Sequence, residues 1–101
     1  MLPYITTNPD LGPLLLDGAE SLVAFQEGDL EEARFRAWLV ARQAEHLRFH
    51  ALRRAAQAFT QKIHPGMVEG LAQTIRQFQH ELDIIVLAHA AHSFKRNLTA
   101  W

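Results

Sequence analysis

Six histidines in 101 residues are the feature of this chain that most directly suggests chemistry. Imidazole is the commonest metal ligand and the side chain that titrates nearest neutrality. His46 and His50 stand four residues apart, and His80 and Asp83 three apart; on a helix either spacing puts both side chains on one face. If two helices fold back on each other about a turn near residue 65, His46 comes level with Asp83 and His50 with His80. Such a set could hold zinc or another divalent ion that favours nitrogen and oxygen ligands. No His-Glu-x-x-His or Glu-x-x-His signature supports it, so the plainer expectation is of surface histidines. His89 and His92 are a separate pair. They continue an apolar seam and, across a two-fold axis, could meet their symmetry mates, giving pH sensitivity or a seat for a metal or haem.

Other chemistry is sparse. The chain has no cysteine, which excludes disulfides and thiolate-ligated zinc or iron–sulfur sites. It has no Gly-rich phosphate loop, and no serine or threonine is spaced to pair with a His–acid arrangement, so no enzyme is expected. Ala91-His92-Ser93-Phe94-Lys95 resembles the Ala-His-x-hydrophobic-Lys core of histidine phosphotransfer domains, which are also helical bundles. The resemblance covers five residues and implies a phosphoacceptor role for His92; Arg96 stands where that family carries a small residue.

Charge is distributed in blocks. Residues 1–33 hold seven acids and no Lys or Arg; residues 34–64 hold seven bases against Glu45 alone. Such blocks either neutralise one another inside a fold or leave a basic face for an acidic partner. Covalent adjacency favours the first outcome; the second would use Arg34, Arg42, Arg48 and Arg53. A net charge of −1 argues against a dedicated nucleic-acid binder. No secretory signal pattern opens the chain, and its longest apolar run, Ile84 to Ala91, is far short of the ~20 residues that span a bilayer. A cytoplasmic protein is expected. Trp38 and Trp101 read as packing or interface anchors.

The elements that must position these residues are helices. Residues 1–13, with three of the four prolines, read as an extended arm. Asp10 or Pro13 can open a short helix over 14–27, with Gly28 as its stop. Asp29-Leu30-Glu31-Glu32 has the form of a capping box, with Asp in the Ser/Thr role. Beyond it no Gly or Pro occurs before Pro65, and good helix formers dominate, so one long helix is expected over 30–63. A second long helix is expected over 66–97. It carries a heptad seam of Leu71, Ile75, Phe78, Leu82, Ile85, His89 and His92, faced by Ala37, Val40, Ala44, Leu47, Ala51, Ala55 and Ala58. The expected fold is a single all-α domain: a short N-terminal helix and a long antiparallel helical hairpin. A helix over 30–63 would run ~51 Å, too slender a rod to bury its own apolar sides. Two hairpins forming a dimeric four-helix bundle is the simplest remedy. A kink near Glu45 to Arg48, giving a compact monomeric bundle, is the rival.

The function expected on these grounds is a non-enzymatic protein–protein interaction module, a small regulator, adaptor or chaperone-like dimer. A histidine-dependent metal- or haem-binding sensor is the alternative.

Overall fold

The computed structural model describes residues 10–64, 66 and 69–99, with side chains as far as Ala91. Four helices account for nearly all of it: α1 (Gly12–Gln26), α2 (Leu30–His46), α3 (His50–Lys62) and α4 (Leu71–Thr99). No strand occurs among the described residues. Each helix packs on the next in sequence, and α4 returns to touch α1. Connections this short make successive helices antiparallel. The contacts agree: Asp17 of α1 reaches Gln43 of α2 while Ser21 reaches Ala33.

α1 starts at Gly12 rather than 14, with Leu11 at its N-cap, and residues 1–9 of the expected arm lie outside the described residues. Asp10 Oδ1 accepts a hydrogen bond from the Gly12 amide at 2.9 Å, and Pro13 occupies the first turn. The end is a Schellman turn: the Gly28 amide donates to the Phe25 carbonyl and the Asp29 amide to the Ala24 carbonyl. Gly28 takes φ +81, where a Cβ would be strained. Asp29 then caps α2, accepting from the Glu32 amide at 3.2 Å. The reciprocal half of the capping box is not used. The Asp29 amide is already committed to Ala24, and Glu32 turns instead to Arg36.

The expected single helix over 30–63 is two helices. At 47–49 the chain repeats the turn that closes α1: the Arg48 amide donates to the Glu45 carbonyl and the Phe49 amide to Ala44. Here, however, an arginine holds the left-handed position, at φ +65. That conformation costs an L-residue roughly 1–2 kcal/mol. Folding back buries Leu52, Phe59 and Ile63 almost completely, at about 1.5–3 kcal/mol for each side chain. Packing outweighs the local strain. The expected small-residue seam is therefore only half right. Ala37, Val40 and Ala44 are buried, but in α3 the core face is Leu52, Ala55, Ala56 and Phe59, while Ala51 is exposed.

The second long helix begins later than expected, at Leu71 rather than residue 66. Gly66 and Gly70 both have positive φ, and Gly70 immediately precedes the helix. In the core, Phe59 stacks on Phe78 of α4 with centroids 4.9 Å apart and meets Phe25 of α1 edge-on at 5.8 Å. Of the expected α4 seam, Phe78 and Leu82 are buried, Leu71, Ile75 and Ile85 pack partly buried against the core, and His89 is exposed. This seam is used within the chain as far as Ile85. The His92 side chain lies outside the described residues.

Candidate functional site

Two features stand out once the core is accounted for. The first is the far end of α4. A 29-residue helix is ~44 Å long, whereas α3, its main neighbour, has 13 residues. Every described residue from Val86 to Ala91 is exposed, and Leu87 keeps 69% of its surface. The resulting shape is 54 × 23 × 19 Å, with a radius of gyration of 15.5 Å against ~13 Å for a compact chain of this size. An uncharged helical segment of Ile, Val, Leu and Ala, interrupted only by His89, therefore stands away from the body that anchors it.

The second is the outer seam between α2 and α3. A depression of about 650 Å³ is lined by Trp38, Ala41, Arg42 and Glu45 of α2 and by Gln57, Thr60 and Gln61 of α3. Its position is set by the antiparallel packing and by small residues: Ala41 is buried, leaving space above it between longer side chains. Trp38 and Phe35 are 46% and 51% exposed and stack on each other at 6.5 Å. The Arg42 guanidinium sits 5.0 Å from the Trp38 ring centre, a cation–π contact. Phe35, Trp38, Arg42 and Glu45 thus form one stripe of three- and four-residue steps along α2.

Ion pairs among the described residues all converge on Arg36. Its Nη1 lies 2.8 Å from Asp17 and 3.1 Å from Glu20, both on α1, and its Nε lies 2.9 Å from Glu32. Hydrogen bonds to Glu32 and Asp17 hold the guanidinium well above its ordinary pKa. Asp17 also accepts from the Gln43 amide at 2.8 Å, which locks α1 to α2. The expected mutual neutralisation of the acidic and basic blocks is thus confined to one arginine. Arg34 donates to the Ile63 carbonyl at the end of α3, and Arg53 to Gln57. Arg48 occupies the α2–α3 turn. Arg54 and Lys62 line shallow depressions between α3 and α4. The bases of 34–64 other than Arg36 remain opposed in that stretch by Glu45 alone.

The proposed histidine set is not assembled. The break at 47–49 puts His46 at the end of one helix and His50 at the start of another, so their i,i+4 relation no longer makes a common face. His46 borders a separate depression with Asp10, Leu39, Arg42, Gln43 and Leu47; His50, His80 and Asp83 are exposed. Among the described residues no three His, Asp or Glu side chains gather where a metal ion could sit. The phosphotransfer-like pentapeptide lies on α4, and its side chains from His92 onward are outside the described residues.

Sequence reasoning missed the α2–α3 groove because it placed both walls on one continuous helix. The exposed aromatics were visible in the sequence, and their outward position needed only the buried stripe Ala33, Ala37, Val40 and Ala44, which leaves Phe35 and Trp38 off the core face. No helix of the described residues is long and apolar enough to cross a membrane. No family model matches the sequence, and no curated protein or solved structure shows significant similarity to it.

Proposed function

We propose that this chain is a non-enzymatic helical interaction module, acting in the cytoplasm as a small regulator or adaptor, and that it works as a homodimer joined through the projecting end of α4. The observation that carries this reading is the exposure of Ile84, Val86 and Leu87 on a segment with no acidic residue, Lys or Arg between Ile84 and Ala91. Contiguous exposed apolar surface on a soluble chain marks an interaction site. Because the segment carries no fixed charge, a second copy meets no like-charge repulsion across a two-fold axis. An isologous antiparallel pairing then buries the same residues on both chains.

Leu16 and Val23 of α1 are exposed as well, at 59% and 50%. They lie seven residues apart, two turns along one face, and offer each body further apolar surface for the partner. Sedimentation equilibrium in the micromolar range tests the reading. Twice the 11.5 kDa chain mass is expected for the wild type, and the single-chain mass for Leu87→Glu with unchanged helicity. A wild-type chain that stays monomeric at the highest concentration measured would sink it.

A further inference from the structure

We propose that the groove between α2 and α3 is a docking site for an acidic peptide that anchors one apolar side chain against Trp38. This face is separate from the α4 end and does not depend on self-association.

Charge selects the sign of the partner. The acids of α1 that could have neutralised the basic stretch are drawn to Arg36, on the α1 side of α2. Along the opposite seam Arg42 faces the groove, Arg53 lies one turn from it through Gln57, and Arg34 lies at its α3 C-terminal end, against Glu45 alone. α3 itself contains three positive residues and no acid. A surface of that balance attracts and orients an anionic partner.

Shape and residue type select a peptide over a nucleic acid. The groove is floored by a buried alanine and walled by an indole, so a single side chain can descend beside Trp38, while the Gln57 side-chain NH2, its Oε1 accepting from Arg53, and the Gln61 amide face a peptide backbone. Trp and Arg are the residue types that dominate interface energetics. The Arg42 guanidinium lies 5.0 Å from the Trp38 ring centre, and its planar fork loses little freedom when it grips a carboxylate in two-point fashion. Nucleic acid would need a longer cationic track. This one is short, contains Glu45, and belongs to a chain of net charge −1.

The test uses the full chain with Trp101→Phe, so that Trp38 is the sole tryptophan reporter. It is titrated with a synthetic peptide rich in Asp and Glu that carries Leu anchors at a four-residue spacing. Parallel titrations use the same peptide with Gln and Asn for the acids, an anchor-free oligoglutamate, and single-stranded DNA. The acidic anchored peptide is expected to shift Trp38 emission and to bind roughly tenfold more tightly than its neutral or anchor-free forms. Its affinity should fall with added salt. Arg42→Gln, read by fluorescence, and Trp38→Ala, read by calorimetry, should each weaken binding roughly tenfold with helicity unchanged, while Leu87→Glu leaves affinity unaltered. Equal binding of the neutral peptide, tighter binding of DNA, unchanged affinity in both groove variants, or no binding by any probe would each overturn the proposal.

Discussion

Arg48 is the one described residue other than glycine with positive φ, and its place in the chain explains why. The α1–α2 and α2–α3 turns share the same pair of backbone hydrogen bonds, yet one has glycine at the left-handed position and the other arginine. Phe49, the next residue, packs partly buried against the core and fixes the turn from outside. The turn is thus determined by the packing of Phe49 and α3 rather than by Arg48 itself. Replacing Arg48 with glycine removes the side-chain strain but adds freedom to the unfolded chain. The strain is the larger of the two, so Arg48→Gly is expected to raise stability by about 0.5–1 kcal/mol. A urea midpoint that moves upward with unchanged slope would show it; a fall would mean that the Arg48 side chain makes a contribution larger than the strain.

Helix pairing in this chain turns on one close approach. Gly18 is buried in α1, and a Cβ there would lie 2.7 Å from Leu82 Cδ2 and 2.9 Å from Cδ1 on α4. Alanine at 18 would gain about 1 kcal/mol of helix propensity, but it would press into a leucine that is only 6% exposed. Overpacking costs ~1–3 kcal/mol, so Gly18→Ala is expected to destabilise the fold by about 1 kcal/mol. In a Leu82→Ala background the same change should become neutral or favourable. The two sites should therefore couple by about 1–2 kcal/mol in a double-mutant cycle, whereas strict additivity would show that α1 and α4 do not touch at this point. The elements show equally well what can be read from residues alone. Helical content, the α1 start at Asp10-x-x-Pro13, the Gly28 stop and the Asp29 cap all depend on local signals and are legible in the sequence. The break at 47–49 is legible only from dimensions, which made a kink near Glu45 to Arg48 the rival to one long helix; Leu47-Arg48-Phe49 contains no Gly or Pro, and the cause of the break is tertiary. Its trace is a slip of phase: the large apolar residues after it, Leu52 and Phe59, sit one position away from the Ala51 and Ala58 that continue the earlier seam. The expected histidine alignment depended on that missing break and was lost with it. The aromatic groove exists because of the same break.

At the scale of the whole molecule, the four packed helices and the projecting end of α4 have different means of support. The core around Phe25, Phe59 and Phe78 is built from residues of one chain. Among the described residues, the core packing of α4 reaches only as far as Ile85, and the stretch from Val86 to Ala91 is exposed. Isolated helices shorter than ~12–15 residues are marginal in water, so in a monomer this stretch should fray, and pairing with a second copy should hold it. Dimerisation adds RT ln(1 + [L]/Kd), about 2.7 kcal/mol at a hundredfold excess over Kd. For a chain near 100 residues each kcal/mol moves Tm by ~4–8 °C. Wild-type Tm is therefore expected to climb by roughly 10–20 °C between dilute and concentrated samples, while Leu87→Glu holds one value throughout. Hydrogen exchange separates this from a general effect of concentration. Amides 86–91 should gain protection on concentration only in the wild type, whereas amides around Phe59 and Phe78 should stay protected in both proteins at every concentration. Fast exchange at 86–91 in concentrated wild-type protein would mean that the α4 end has some use other than self-pairing, whatever its composition.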